Sequence, residues 1–337
     1  MAGPLVRPLR AVSTLLAPLA TVRPLLPLVI GAPSEAPVAV TMSVPALTVV
    51  PPLCTFAPPR LSVPLPRQLG YMIELRHALE AAGHATFFAA KSQVELHFDV
   101  GRIGRHVAQT PADAWVVGTG THAVLEWFAA QALPSLALFG RRSGLPIAAV
   151  GPDKVPAFVE ATRQLVNLGH RRIVLLCRRL RRLPAPGRVE RAFLAELAAH
   201  GLRVGAYNLP DWEETLAGFH ACLAALFRHS RPTALIIDEA PFFAATQQFL
   251  ARRNLQVPAH VSLVRTDHDP TFGWCEPVIS HMHWDSPPVI RRIVRWAAAV
   301  SHGRTDRVQT LFPAQFISGG TIGPAPAGER AEKLKCR

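Results

Sequence analysis

The chain of 337 residues is long enough for two domains, and 49% apolar residues can bury a sizeable core. The 36 Lys and Arg against 23 Asp and Glu give a formal net charge of +13, which favours anionic partners, although such a composition is also typical of GC-rich coding sequence. The five cysteines are odd in number and form no CxxC pair, which fits reduced thiols in a cytoplasmic protein better than a disulfide framework.

The N-terminal segment has an unusual composition. Residues 1–66 hold 14 of the 32 prolines, and no acidic residue precedes Glu35. Proline at this density is incompatible with a stable helix or a central strand. No apolar run approaches the roughly 20 residues that a membrane helix needs. We therefore predict that residues 1–52 are disordered or degenerate and that the chain has no membrane span; a targeting peptide is the alternative.

Regular alternation begins at residue 53. LCTFA (53–57) has strand character, and the next segment has helical spacing until Gly83. ATFFAA then predicts a strand, DVGRIGRHVAQ a less regular helix with two glycines, and AWVVG a strand. THAVLEWFAAQ predicts a helix that Thr121 caps. SLALFG and IAAVG predict two further strands.

The stretch LVNLGHRRIVLL, residues 165–176, predicts a helix that runs directly into a strand. Phe158, Ala161, Leu165 and Leu168 form one apolar face. Gly169 supplies the left-handed residue that ends such a helix. The apolar run that follows, 173–177, indicates a strand covered by helices on both faces, as in a parallel sheet.

The alternation continues to the C-terminus. Helices are predicted in RVERAFLAELAAHG, WEETLAGFHACLAALFRHS, PFFAATQQFLARRN and SPPVIRRIVRWAAAVSHG, with strands in LRVGAYN, PTALIID, VSLVRTD and LFPAQFIS. Strands that alternate with helices indicate βαβ units and a doubly wound α/β fold. About eleven strands are too many for one open sheet, so we predict two sheets.

Four motifs in sequence carry a family resemblance. LVNLGHRRIVLL, RAFLAELAAHGL, RPTALII and LARRNLQVPAHVSLVRTDHDP follow the order and spacing seen in the lactose repressor/galactose repressor family of transcriptional regulators. The resemblance covers about residues 53–323 and is clearest over 158–270. It implies the type I periplasmic-binding-protein-like fold of the effector-binding domain, in which two α/β lobes are joined by three crossovers.

The resemblance also implies the domain limits. The crossovers fall near residues 151–153, 283–286 and 312–314. The first lobe then comprises about 53–150 and 287–311, and the second about 154–282 and 315–323, which leaves a flexible tail at 324–337. A small-molecule effector is expected between the lobes, beyond the carboxyl ends of the strands.

The same resemblance implies a cytoplasmic homodimer built from first-lobe helices, here 68–82 and 287–300. Members of the family bind DNA through a small head domain, which is not recognisable in residues 1–52. Either the head is lost, or the start of the chain is mis-assigned or out of frame. This chain is therefore expected to bind effector and to dimerise, with DNA bound only through such a head.

Of two effector-binding positions that the resemblance implies, this chain has the usual residue at one and a different residue at the other. The Asp that usually grips the effector falls on Asp267, whereas Val189 occupies the position of the usual Arg and Arg188 lies one place away. CRRLRRLPAPGR sets Arg178 and Arg179 with Arg188 on a loop that opens toward the cleft. Because guanidinium groups suit carboxylates and phosphates, an anionic effector is one hypothesis, and a solvated loop is the other.

Further candidates lie at strand ends and at a crossover. Asp238 ends the strand PTALIID. Trp284 could stack on a ring-shaped ligand or serve only in packing, and Asp285 lies beside it. His281 and His283 share one face of a strand and could bind a metal, but no third ligand is evident, so we predict neither a metal site nor a cofactor.

Catalytic signatures are missing from the sequence. There is no GxSxG nucleophile elbow, no P-loop and no GxGxxG after a strand. We predict that the protein is not an enzyme and that it senses a small polar, sugar-like effector. A solute-binding protein of a transport system and a nonfunctional regulator remnant are the alternatives.

Overall fold

The computed structural model describes residues 48–50, 66–183 and 186–327, all within one compact unit, residues 44–337. This part of the chain forms eleven strands. In chain order they are β1 (Thr48–Val50), β2 (Ala85–Thr86), β3 (Ala114–Gly118), β4 (Ser135–Leu138), β5 (Ala148–Asp153), β6 (Ile173–Leu176), β7 (Ala234–Ile237), β8 (Ser262–Arg265), β9 (Ser280–His283), β10 (Gln309–Pro313) and β11 (Gln315–Ile317).

Nine α-helices are found in the same described ranges. They are α1 (Pro66–Ala81), α2 (Val100–Ala108), α3 (His122–Ala129), α4 (Val155–Asn167), α5 (Arg179–Arg182), α6 (Arg188–Ala199), α7 (Leu216–His229), α8 (Ala240–Ala251) and α9 (Ser286–Ser301). A 3-10 helix spans Pro270–Trp274. Thr121 caps α3 as predicted, since its hydroxyl oxygen accepts a hydrogen bond from the backbone nitrogen of Val124 at 3.4 Å.

The strands form two sheets, which confirms the predicted fold class. One sheet has the order β10-β5-β4-β3-β1-β2, and all of its strands are parallel. The other has the order β11-β9-β8-β7-β6, in which only β11 is antiparallel to its neighbour. We call the first sheet with α1, α2, α3 and α9 lobe 1, and the second sheet with α4 to α8 lobe 2.

The chain passes between the lobes three times, as predicted. It leaves lobe 1 after β5, returns from β9 into α9, and crosses again at Ala314 between β10 and β11. The backbone nitrogen of Ala314 donates to the carbonyl oxygen of Asp153 at 3.2 Å. This hydrogen bond ties the third crossover to the first.

Three apolar clusters cover the four sheet faces. One cluster fills the outer face of lobe 1 around Trp115 and Phe128, and a second fills a face of lobe 2 around Phe219 and Phe249. The third cluster contains residues of both lobes and includes Trp284. Because each sheet is covered on both faces, β3, β6, β7 and β8 are completely buried, as expected for parallel strands.

The predicted junction between helix and strand is present. Gly169 follows α4 with φ of 96°, a left-handed conformation that glycine adopts without strain. His170 is completely buried next to it. Its Nδ1 lies 3.0 Å from the hydroxyl of Thr233, and its Nε2 lies 2.9 Å from the carbonyl oxygen of Gly323 and 3.0 Å from the hydroxyl of Ser262. The imidazole therefore fastens the C-terminal segment to the start of three neighbouring strands.

The prediction of a strand over 202–208 is wrong. This segment is a turn, in which the Asn208 side chain accepts from the backbone nitrogen of Gly205 at 3.0 Å. Asn208 alone pairs with the edge of β6: its side chain donates to the Ile173 carbonyl and its own carbonyl accepts from Leu175. The turn therefore supplies hydrogen-bond partners to backbone groups at the edge of β6, and no sixth strand of the described part of the chain pairs there.

Both ends of the folded domain differ from the predicted limits. β1 lies inside the segment 1–52 that we expected to be disordered, and it pairs with β2 and β3. The predicted strand 53–57 and the remainder of 1–52 lie outside the described residues. Ala325 is buried and donates to the Leu168 carbonyl at 2.8 Å, so the domain extends past the predicted limit at 323.

We expect His170→Ala to lower the free energy of unfolding by about 2–4 kcal/mol, because it removes the shared partner of several buried polar groups and leaves a cavity. Urea unfolding followed by circular dichroism measures the loss. His302→Ala, at an exposed position, is the control and should change stability by less than about 0.5 kcal/mol. Equal effects of the two substitutions would contradict this role of His170.

Candidate functional site

Residues that follow the carboxyl ends of strands in both sheets meet at one place, which we call the interlobe junction. Lobe 1 contributes Tyr71 of α1, Phe139 and Arg141 after β4, and Asp153 at the end of β5; lobe 2 and the crossovers contribute Lys154, Glu190, Asp267 and Trp284. Parallel sheets present their ligand-binding residues at this edge. The interlobe junction is therefore the candidate effector site.

Trp284 lies at the centre of the interlobe junction and is 6% exposed. Its ring packs edge-to-face against Tyr71 and Phe139, at centroid distances of 5.8 and 5.4 Å. Its indole nitrogen donates to Oδ1 of Asp267 at 3.0 Å. Trp284 thus connects two residues of lobe 1 with the carboxylate at the end of β8.

Asp267 has partners on both of its oxygens. Besides the Trp284 hydrogen bond to Oδ1, the Lys154 ammonium lies 3.8 Å from Oδ2. Because Lys154 follows the first crossover and Trp284 lies in the second, the Asp267 carboxylate links two of the three crossovers. The side chain is 30% exposed, so water or a ligand can still reach it.

Arg141 and Glu190 form an ion pair between the lobes that the sequence did not predict. Nη1 of Arg141 donates to Oε2 of Glu190 at 3.3 Å, and Nη2 donates to Oε1. The Glu190 side chain is only 5% exposed and lies in the first turn of α6, where the helix dipole favours a negative charge. Arg141 belongs to FGRRSG, a stretch whose only sequence signal is two arginines after a strand.

The interlobe junction also contains Arg142 and Arg188. The Arg142 guanidinium donates to the Phe139 carbonyl at 3.3 Å. Its pKa is lowered mainly by burial and further by the positive charge of Arg188, whereas Asp153 raises it. Nη2 of Arg188 lies 3.7 Å from Asp153. The partly buried guanidinium of Arg142 at this place favours an anion or a strongly polar ligand.

The two predicted arginines of the loop after β6 have different surroundings. Nε of Arg178 donates to both carboxylate oxygens of Glu239 at 3.0 Å, and Nη1 donates to Glu214 at 3.3 Å. The Arg178 guanidinium also lies 4.9 Å from the centroid of the Phe242 ring. Arg179 is exposed at the start of α5. Arg178 therefore neutralises carboxylates within lobe 2 instead of extending toward lobe 1.

The other predicted site residues lie at neighbouring strand ends. Asp238 accepts a hydrogen bond from the Thr266 hydroxyl at 2.6 Å, which links the ends of β7 and β8. Asp285 is exposed and its Oδ1 lies 3.2 Å from Nε2 of His283. The structure thus brings Asp267 and Trp284 into contact, and it places Arg188 opposite Asp153, Arg178 beside Glu239, and Asp285 beside His283.

A third imidazole joins the two histidines that the sequence singled out. Nδ1 of His268, in the loop after β8, lies 3.1 Å from Nε2 of His281. One ligand nitrogen from each of His268, His281 and His283 lies within 4.8 Å of the others. His268 immediately follows Asp267, and its position at the end of the strand next to β9 was the signal that sequence reasoning missed.

Two open grooves of about 370 and 580 Å³ lie elsewhere on lobe 2. They are lined by α7 and the C-terminal half of α8, including Ala221, Ala224 and Arg253. These segments are at the opposite end of α8 from the carboxyl end of β7. The grooves therefore do not belong to the interlobe junction.

Comparison with known proteins finds a family similarity over part of the chain. Residues 162–322 match the family described as periplasmic binding protein-like domain. This part of the chain is therefore similar to that family. No curated protein sequence matches the chain.

Solved structures of similar fold include transcriptional regulators. The domain is similar to a LacI transcriptional regulator from a Rhodococcus species, with 20% identity, coverage of 83% of this chain and 99% of that chain, and a TM-score of 0.63. A LacI family regulator from Enterococcus faecium with bound ribose has 15% identity, coverage of 82% and 98%, and a TM-score of 0.61. The Lac repressor dimer bound to operator and the anti-inducer ONPF has 15% identity, coverage of 84% and 95%, and a TM-score of 0.63.

At these identities the structural comparisons establish the fold. Together with the family match, they confirm the resemblance to the effector-binding domain of the lactose repressor/galactose repressor family. None of the helices among the described residues is long and apolar enough to span a membrane.

We expect Arg141 and Glu190 to be energetically coupled. A double-mutant cycle with Arg141→Met and Glu190→Gln, measured by urea unfolding, should give a coupling free energy of about 1–3 kcal/mol, because Glu190 is almost fully buried.

The exposed pair Arg76 and Glu80 on α1 provides the matched control. Its side chains are 44% and 38% exposed, so the same cycle should give less than about 1 kcal/mol. A coupling for Arg141 and Glu190 no larger than that of the control pair would show that this contact does not hold the lobes together.

Proposed function

We propose that the chain is the ligand-sensing and dimerisation domain of a bacterial transcriptional regulator, and that it binds a small sugar-like effector at the interlobe junction. The observation that carries the proposal is the chemistry of this junction. Two lobes meet there through an aromatic centre, Trp284, surrounded by charged side chains, among them Asp267, Arg141 and Glu190. Such a mixture of an aromatic surface and hydrogen-bonding groups suits the hydroxyl groups and the apolar faces of a sugar ring.

The contacts between the lobes can exchange for contacts with a ligand. The Lys154 ammonium lies 3.8 Å from Asp267, which is a weak ion pair that a hydroxyl group can replace. A ligand that binds one relative orientation of the lobes more tightly than another shifts the population toward that orientation. The lobe angle then reports the presence of the effector.

The class of effector is proposed from two observations. The E. faecium relative contains bound ribose, which supports a sugar-like molecule. The guanidinium groups of Arg142 and Arg188 at this junction support a negatively charged group on that molecule, such as a phosphate or a carboxylate. We therefore propose a sugar or sugar derivative in general, and a sugar phosphate or sugar acid in particular.

The regulatory output is proposed to require a dimer in the cytoplasm. The operator-bound relative is a dimer. Here α1 and α9, the two helices that the family resemblance assigns to the dimer surface, lie against each other on lobe 1. DNA would be contacted through a head domain coupled to the effector-binding domain. The proposed role is binding and signalling, without catalysis.

We expect isothermal titration calorimetry of the full chain to detect one ligand among ribose, ribose 5-phosphate, gluconate and cellobiose. Asp267→Asn should weaken its binding about 10- to 100-fold, since a hydrogen bond to a charged group contributes about 1.5–3 kcal/mol. Arg142→Gln should weaken binding of the anionic ligands more than that of the neutral ones.

Glu126→Gln, on the exposed side of α3, is the control and should bind like the parent. Near-ultraviolet circular dichroism of each variant checks that the junction still packs. Unchanged affinity in a correctly folded Asp267→Asn protein would refute the assignment of the site.

The dimer surface makes a separate prediction. Ile73 on α1 is 40% exposed, and Ile73→Arg should raise the dimer dissociation constant at least about tenfold, because it places a charge in an apolar contact. Sedimentation velocity over a concentration series measures the constant.

Leu216→Arg is the matched control, since Leu216 is 76% exposed on α7 of lobe 2. This substitution should leave the dimer unchanged. If Leu216→Arg dissociates the dimer while Ile73→Arg does not, the dimer surface lies on lobe 2.

A further inference from the structure

Three imidazole rings converge at the carboxyl ends of β8 and β9. His281 and His283 project from the same face of β9, and His268 reaches them from the loop after β8. The centroid of the His268 ring lies 4.8 Å from that of His281 and 5.1 Å from that of His283. Phe272 packs against His268 and His281 at 6.0 and 5.3 Å, which restricts the movement of both rings.

The buried member of the cluster has a defined tautomer. Nδ1 of His281 lies 2.8 Å from the Ile279 carbonyl, which can only accept a hydrogen bond. Nδ1 therefore carries the proton, and Nε2 of His281 presents its lone pair toward Nδ1 of His268, 3.1 Å away. A backbone carbonyl that orients the remote nitrogen of a histidine is a common support of metal-binding imidazoles.

His283 has a similar support from a carboxylate. Its Nε2 lies 3.2 Å from Oδ1 of Asp285, and the two side chains are 37% and 78% exposed. When Nε2 donates to the carboxylate, Nδ1 of His283 retains a lone pair for a metal ion. Alternatively, the Asp285 oxygen itself can become a ligand, because its exposed side chain is free to rotate.

The spacing of the nitrogens agrees with tetrahedral coordination. Bonds of about 2.0–2.1 Å from Zn²⁺ to two imidazoles place the nitrogens about 3.3 Å apart. The 3.1 Å between His268 and His281 is close to this value, and the third nitrogen lies within 4.8 Å of both. A rotation of the partly exposed His283 ring closes the remaining distance, and His268 must release its proton from Nδ1 for the lone pair to face the ion.

We propose that His268, His281 and His283 form a binding site for a divalent transition metal, with Zn²⁺ the best fit. Three imidazole ligands select Zn²⁺, Cu²⁺ or Ni²⁺ over Mg²⁺ and Ca²⁺, which require oxygen ligands. The fourth position is filled by water or by Asp285. This site is separate from sugar binding and does not rest on it.

The position of the cluster connects metal binding to the hinge. His268 adjoins Asp267, which holds Trp284, and Asp285 precedes α9 at the second crossover. A metal ion bound here fixes the end of β8 to the end of β9 next to this crossover. Metal binding should therefore stabilise the folded protein, and the stabilisation should grow with the logarithm of the ion concentration above the dissociation constant.

The experiment uses the full chain without a histidine tag, stripped with a chelator and dialysed. Zn²⁺ is titrated in competition with a chromophoric chelator, and Co²⁺ binding is followed by its visible absorption. We expect one Zn²⁺ ion to bind per chain. The visible absorption of bound Co²⁺ should be that of an ion with a low coordination number. His268→Ala and His283→Ala should each weaken Zn²⁺ binding more than about 100-fold, and Asp285→Asn about 10- to 100-fold.

His229→Ala is the control, because His229 is exposed at the end of α7 on the same lobe. It should bind Zn²⁺ like the parent, and circular dichroism checks the fold of every variant. Absence of Zn²⁺ binding in the parent, or equal affinity in all variants, would overturn the proposal. Repeating the sugar titrations with chelator present separates failure of this proposal from failure of the proposed function.

Discussion

The packing of Trp284 between the lobes is the contact on which the architecture depends. Its indole joins Tyr71 and Phe139 of lobe 1 to Asp267 of lobe 2. Each aromatic contact contributes about 0.5–1.5 kcal/mol beyond the burial of its area, and the hydrogen bond fixes the orientation of the ring. Since Trp284 also belongs to the apolar cluster shared by both lobes, one continuous core passes through the hinge.

Charged contacts surround this apolar centre and have another role. The buried pair of Arg141 and Glu190 must lose its hydration to form, so its net contribution to stability is smaller than its short distances indicate. Its directional hydrogen bonds instead define one alignment of the lobes. The apolar centre around Trp284 can stay packed while the polar contacts around it exchange. The proposed change of the lobe angle requires such an arrangement.

Sequence reasoning was most successful where local patterns determine structure. The apolar face of α4, Gly169 and the apolar run after it identified a junction of helix and strand, because each signal depends on a few adjacent residues. The segment 202–208 misled for the opposite reason: its apolar residues alternate, but Asn208 satisfies the edge of β6 with a turn. No local pattern reports whether an edge is already paired.

In the candidate site too, sequence reasoning found residues that local patterns indicate and missed those that depend on distant partners. Asp267 and Trp284 could be named from motif position and from the crossover, whereas Arg141 and His268 act through partners remote in sequence, Glu190 and the β9 histidines. Such pairs depend on the register of one sheet or on the approach of two lobes, and neither is encoded in the spacing of residues along the chain.

Gly187, just before α6, shows how closely the lobes approach. A β-carbon at this position would collide with the Arg141 guanidinium, whose Cζ lies 2.8 Å from the ideal position, and with the Glu190 carboxylate. Because glycine has no side chain, position 187 leaves room for the contact between Arg141 of lobe 1 and Glu190 of lobe 2. A larger residue at 187 would displace the Arg141 guanidinium or the Glu190 carboxylate and would thereby weaken this connection between the lobes.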